Sequence, residues 1–275
     1  MFKKVSEAVD FISKRITTPP SAGIVLGTGL GRLADEISDA VVIPYEEIPH
    51  FPASTVEGHA GQLIIGKLNG RQVVAMKGRF HFYEGYSMHE VVFPIRVMNF
   101  LGIRFLILSN ASGGLNPNFS VGDMMFIEDH INMMNLMNEN PLKGAHIEEF
   151  GPRFPDMNQP YDPGLIRKAE EIANRLGIKY QKGTYAGMTG PTFETPSEYK
   201  FVRYMGADAV GMSTVPETIA ANQLNLPVFA ISVISDLGVE GKIVEITHKE
   251  VIDAASMVEP EMTRLIKTLL AEAEL

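Results

Sequence analysis

The sequence has no cysteine. That removes disulfides, thiolate zinc sites, iron–sulfur clusters and a cysteine nucleophile, and it suits a reducing compartment such as the cytoplasm. Tryptophan is absent as well. Basic residues are outnumbered, 24 Lys and Arg against 33 Asp and Glu for a formal net charge of −9, so no broad cationic surface for nucleic acid or anionic lipid is expected. Long apolar runs are missing too: Phe105 to Leu108 and Val228 to Ile234 are strand-sized, far short of the roughly 20 residues of a membrane-spanning helix. The opening MFKKVSEAVDFISKRI is broken by charges and repeats Val5, Val9, Ile12 and Ile16 at helical spacing, which marks an amphipathic helix and not a secretory leader.

What remains is an ordinary globular composition, 45% hydrophobic and 21% charged with 25 Gly and 17 Pro in 275 residues. One α/β domain over residues 1–275 is expected, since such folds reach this size as a single unit. Short β-rich runs (Gly23 to Leu26, Phe105 to Leu108, Ile178 to Ala186, Ala209 to Gly211, Val228 to Ile234) alternate with helical patterns, one of them from about Arg32. Leu63 to Leu68, Asn69-Gly70 and Arg71 to Met76 have the signature of a hairpin with a type I′ turn. The expectation is therefore a central mixed sheet flanked by helices. Met137 to Asp162, rich in Pro, Asn and Gly, is expected to be irregular, and loops of that length are usually functional or interfacial. Three capping boxes start helices at Thr195, Thr214 and Thr247, next to Glu194, Ser213 and His248.

Three clusters carry polar chemistry. Gly27-Thr28-Gly29-Leu30-Gly31 follows a strand and offers backbone N–H groups to an anion, yet it is neither a dinucleotide fingerprint, whose last Gly would fall at Arg32, nor a Walker loop. Gly78-Arg79-Phe80-His81-Phe82-Tyr83-Glu84-Gly85 places Arg79, His81 and Tyr83 on one face if extended, and an Arg fork suits phosphate oxygens. Ser109-Asn110-Ala111-Ser112-Gly113-Gly114 is a glycine-rich turn or a backbone anion cradle. His89-Glu90-Val91-Val92-Phe93 fails the zincin pattern, and Gly211-Met212-Ser213-Thr214-Val215 lacks the final Gly of a nucleophile elbow. Convergence of Glu57, Glu194 and Asp236 into a glycosidase pair stays open. An anion site without a protein nucleophile is what the letters describe.

With Ser54-Thr55-Val56-Glu57-Gly58-His59-Ala60-Gly61, Gly190-Pro191-Thr192-Phe193-Glu194-Thr195 and Gly206-Ala207-Asp208-Ala209-Val210-Gly211-Met212-Ser213-Thr214-Val215-Pro216-Glu217 added, the chain closely resembles the trimeric class of purine nucleoside phosphorylases nearly end to end. The resemblance implies a cytoplasmic homotrimer in purine salvage that replaces the purine of inosine or guanosine, ribo or deoxy, by inorganic phosphate with inversion. It implies no metal and no organic cofactor, phosphate being a co-substrate. Thr28, Arg79, His81, Ser213 and the Ala111 N–H would hold phosphate, with His59 near its attacking side. Tyr83, Tyr185, Met212 and His248 would meet the ribose, with Phe193 and Tyr185 flanking the base, and Phe150 would be lent to the neighbouring subunit's ribose site. Glu194 would accept N1–H of a 6-oxopurine.

One position departs from the family pattern. Asp236 stands where 6-oxopurine-specific members usually carry Asn opposite N7 and O6. An amide donates and accepts, whereas an ionised Asp only accepts. If protonated, Asp236 could act as a general acid at N7; if ionised, it could accept from a 6-amino group and admit adenosine. Asp236, Glu194 and His81 are thus the catalytic candidates. The alternatives are a base specificity broadened by Asp236 to adenosine or a 5′-modified adenosine, a nucleoside hydrolase and a non-catalytic nucleoside binder.

Overall fold

In a computed structural model, residues 1–53, 55–56 and 60–274 are described. The apolar runs form strands β1 (Ala22–Leu26), β2 (Ser38–Pro44), β3 (Gln62–Leu68), β4 (Arg71–Lys77), β5 (Leu106–Gly114), β6 (Met124–Asn132), β7 (Gln181–Gly187), β8 (Ala209–Gly211) and β9 (Val228–Leu237). Helices α1 (Phe2–Ser13), α2 (Met88–Val91), α3 (Phe93–Phe100), α4 (Pro163–Leu176), α5 (Pro196–Tyr204), α6 (Val215–Gln223) and α7 (His248–Glu272) pack around them. Every residue of β1 and the first eight of β9 are buried, which is why these strands are mostly apolar and show no alternation.

The strands form one mixed sheet in the order β2-β3-β4-β1-β5-β8-β7-β6-β9. β9 also pairs in parallel with β5, so β5, β8, β7, β6 and β9 close on themselves into a small barrel from which β1, β4, β3 and β2 extend as a wing. The α/β class and mixed sheet match the sequence expectation; the closure is an addition to it. β1 runs beside β5 only from Gly23 to Val25, opposite Leu106 to Leu108. Past Leu108, β5 keeps β9 on one side, and on the side that β1 leaves it gains β8 only at Gly113 and Gly114. The gap left beyond the carboxyl end of β1 is a crevice of the kind in which α/β proteins bind ligands.

Local chemistry explains several boundaries. At the hairpin tip Asn69 and Gly70 have φ of 47° and 82°, as a type I′ turn requires. The stretch from Arg32 is a single 3-10 segment, Gly31–Glu36, and not an α-helix, because β2 begins two residues later. Its start is capped by Glu259 of α7, which accepts the Arg32 N–H at 2.6 Å. Ile16 falls beyond α1, whose buried residues are Val5, Ala8 and Ile12. Ser109 to Gly114 is not a turn: it continues β5, paired with Ile231 to Leu237 of β9, so its glycines lie in the sheet. Between 137 and 162 only short 3-10 segments occur, as expected.

The turn offers a test free of packing effects. No atom lies within 4 Å of the Cβ that Gly70→Ala would add, so the change should cost only the left-handed backbone penalty, about 1 kcal/mol, in urea unfolding. A loss several times larger would mean that the hairpin register itself depends on this residue.

Candidate active site

The crevice is an open-mouthed cleft, lined on one side by Thr28, Arg79, His81, Ala111 and Ser213. Arg79 emerges just after β4 and is only 1% exposed. Its Nε and Nη2 donate to the two carboxylate oxygens of Glu217 at 3.0 and 3.1 Å, and Nη1 donates to the Ser109 carbonyl at 2.6 Å. Gly27 makes this approach possible, since a Cβ there would sit 2.7 Å from the Ser109 carbonyl and 3.0 Å from the guanidinium. Glu217 belongs to the first turn of α6 and also accepts the Thr214 N–H at 2.9 Å.

Thr214 itself is strained. Its φ of 68° and ψ of −48° form a γ-turn closed by the Val215 N–H donating to the Ser213 carbonyl at 2.7 Å, a conformation a β-branched residue rarely adopts. It is held by hydrogen bonds: Asn110 Nδ2 donates to the Thr214 hydroxyl at 2.7 Å, and the Ser232 hydroxyl donates to Asn110 Oδ1 at 2.5 Å. The strain turns Ser213 into the cleft. Thr195 and Thr247 accept the Glu198 and Glu250 N–H groups as expected of caps, whereas at Thr214 the Glu217 carboxylate takes over part of that role.

His81 is buried, stacks on Tyr83 at 4.6 Å, and places Nδ1 3.0 Å from a Glu84 oxygen that also takes the His81 N–H. The other Glu84 oxygen accepts from the Thr55 hydroxyl and N–H. Burial lowers the imidazole pKa more than Glu84 restores it, so His81 is neutral near pH 7 with its proton on the nitrogen facing Glu84.

The other side of the cleft is acidic: Phe193, Glu194, Tyr199, Ser235 and Asp236 line it, and Tyr83, Met212 and His248 complete the wall. Burial, and then the neighbouring carboxylates Asp236 and Glu198, push the Glu194 pKa up to about 7. Burial also raises Asp236, partly offset by hydrogen bonds from Ser235 at 2.8 Å and Tyr199 at 3.3 Å. Among the described residues no group of three His, Asp or Glu could hold a metal ion.

Most of the expected site residues thus meet in one cleft, but Tyr185 and Phe150 do not line it. His59, like Glu57, lies outside the described residues. Tyr185 is fully buried behind the wall, its hydroxyl accepting the Ser213 N–H at 3.4 Å, so it supports Ser213 where ribose contact was expected. Phe150 is 2% exposed and packs against Phe2 and Phe100, with Arg96 over its ring. A ring held in its own core cannot be lent to a neighbour, and the exposed aromatic of this segment is Phe154, at 88%. Asn110, Glu217, Tyr199 and Ser235 were not foreseen: each has the sequence signature of an ordinary strand or capping residue.

The family model for the phosphorylase superfamily matches residues 21–271. A purine nucleoside phosphorylase of Bacillus subtilis is 50% identical over 274 residues, with full coverage of both chains. The chain belongs to the purine nucleoside phosphorylase family. The mouse enzyme is 46% identical over 91% of this chain and 88% of its own. A purine nucleoside phosphorylase from Schistosoma mansoni, solved in complex with adenosine, superposes with a TM-score of 0.94 at 39% identity, covering 99% of this chain and 98% of its own. Its isoform 2, solved with cytosine and ribose 1-phosphate, gives 0.95 at 40% identity over 100% and 98%.

Glu217 is the testable keystone of this site. Glu217→Ala removes the carboxylate to which both Nε and Nη2 of the buried guanidinium donate and should lower stability by about 3 kcal/mol in urea unfolding at fixed protein concentration. A change below about 0.5 kcal/mol would show that water, not Glu217, satisfies Arg79.

Proposed function

We propose that the cleft binds inorganic phosphate and a purine ribo- or deoxyribonucleoside side by side and exchanges the base for phosphate, inosine and guanosine being the primary substrates. The observation behind this reading is that a donor cluster (Thr28, Arg79, His81, Ala111 N–H, Ser213) and an acid cluster (Glu194, Asp236) share one cleft with Tyr83, Met212, His248 and Phe193. Arg79 and Ser213 are held in place before any ligand arrives, so stabilising the anion needs no reorganisation at the moment of reaction. With its proton directed at Glu84, His81 has Nε2 as the acceptor for the acidic proton of hydrogen phosphate.

Loss of the purine builds positive charge on the ribose ring and negative charge on the base. Phosphate answers the first as nucleophile, with inversion, and the second is answered by whichever carboxyl of the acid cluster holds a proton: Glu194 at N1, or Asp236 at N7 and the 6-position. Tyr83, Met212 and His248 take the ribose, His248 at the 5′-hydroxyl. No metal or organic cofactor takes part, and His59 belongs beside phosphate by resemblance alone. The protein acts as a cytoplasmic homotrimer in purine salvage, with Phe154 in place of Phe150 as the aromatic offered to the adjoining subunit. The family resemblance and the exposure of Phe154 support this assembly.

Base release from inosine, guanosine and adenosine by phosphate-depleted protein, with and without added phosphate, tests the reading. Release from inosine and guanosine should require phosphate and yield ribose 1-phosphate; free ribose formed without phosphate would make the protein a hydrolase, and saturable binding without product a binder.

Glu194 adds a pH signature. Below about 7 its neutral carboxyl donates to the bare N1 of a 6-aminopurine, and above it the carboxylate accepts N1–H of a 6-oxopurine. The ratio of kcat/KM for inosine over adenosine should therefore rise with pH across about 6 to about 8. A flat ratio would remove Glu194 from base recognition.

A further inference from the structure

Asp236 is not alone at the base side of the cleft. Tyr199, on α5, is 4% exposed and reaches the cleft with its hydroxyl, whose hydrogen-bond acceptor is Asp236 Oδ2 at 3.3 Å. Burial and the nearby carboxylates raise its pKa, so the phenol stays protonated and donates. Ser235 donates to Asp236 Oδ1 at 2.8 Å, with the Ser112 carbonyl as a second acceptor at 3.2 Å. The donor at Glu194 is its own backbone N–H. Gly238 makes the placement of Tyr199 possible, because a Cβ there would lie 2.6 Å from the Tyr199 ring.

Two carboxyls facing one base would, when they share one proton, have two arrangements. With the proton on Glu194, Glu194 donates to N1 while Asp236 accepts from a 6-amino group, which complements adenine. With the proton on Asp236, Glu194 accepts N1–H and Asp236 donates to O6, which complements hypoxanthine and guanine. Hydrogen bonds donated to a carboxylate favour its charged form, and among the described residues the side-chain donors at this pair, Tyr199 and Ser235, both serve Asp236. We propose that Tyr199 is a positioning and specificity-determining residue that, with Ser235, keeps Asp236 an acceptor, leaves the shared proton on Glu194, and so opens the site to 6-aminopurines alongside 6-oxopurines. The inference rests on the proposed placement of the base against Glu194 and Asp236.

Tyr199→Phe keeps the ring over Gly238 and removes only the hydroxyl. A hydrogen bond to a charged acceptor at this length is worth about a tenfold change in an equilibrium. The dissociation constants of adenine and hypoxanthine, measured by calorimetry, should shift in Tyr199→Phe by about tenfold in their ratio, against adenine. The kcat/KM ratio of adenosine over inosine should fall by a similar factor. In Asp236→Asn, which cannot hold the proton, adding Tyr199→Phe should leave the ratio unchanged. Equal weakening of both bases, no change in their ratio, or the same change in the Asn background would each overturn the proposal. Base affinities are read without turnover, so a failure of phosphate-dependent cleavage counts against the phosphorylase reading, while an unmoved ratio counts against Tyr199.

Discussion

A guanidinium buried as deeply as Arg79 is tolerable only beside a carboxylate whose oxygens match its fork, and much of the site follows from meeting that condition. Glu217 supplies the match from the first turn of α6, so the end of β4 and the start of α6 are fastened to each other. The remaining arm of the fork holds the Ser109 carbonyl and fastens β5 as well. Gly27 is needed because any side chain there would occupy the junction. The same carboxylate steadies Thr214 in its strained turn, and that turn presents Ser213. The ion pair thus fixes the donor groups ahead of the ligand, and the strain at Thr214 is balanced by hydrogen bonds from Asn110 and Ser232 that run back into the barrel.

The protein as a whole is acidic, with a net charge of −9, yet its cleft gathers Arg79, His81 and backbone donors on one side. Short-range donors decide anion binding there, because the field of distant surface charges is screened by water and salt while the buried groups are not. The opposite side brings Glu194 and Asp236 within electrostatic reach of each other, and their protonation belongs to the pair. Which of the two is charged depends on neighbours of no distinctive sequence character: a serine next in the chain and a tyrosine on another element.

Much of the wing and barrel could be seen in the letters. Asn69-Gly70 announced the hairpin because both turn positions need positive φ, and the buried strands β1 and β9 stood out as apolar runs. β2 and β6 did not. β2 is an edge strand, mostly exposed, and carries no alternation; β6 is apolar only from Met124 to Ile127 before Glu128, Asp129 and His130 interrupt it. Ser109 to Gly114 has the composition of a turn and lies in a strand, since β9 pairs along its whole length and β8 takes its last two residues. Phe150 and Phe154 are indistinguishable by residue type and lie in one irregular segment, but packing against Phe2 and Phe100 buries the first and leaves the second outside.

The sequence by itself determined the chemistry available: no thiol, a glycine-lined anion site, an Arg and a His spaced for one face, a Glu before a capped helix, and an Asp where an amide is usual. Those properties are local, set by residue type and by spacings of a few positions along the chain. The tertiary structure decided which groups act together. Arg79 and Glu217 are 138 positions apart and Tyr199 and Asp236 are 37 apart, and only closure of the barrel and the docking of α5 and α6 bring them within hydrogen-bonding distance. Hydrogen bonding and burial fall off over a few ångströms, so the charge state of a buried group depends on neighbours that residue order alone does not name.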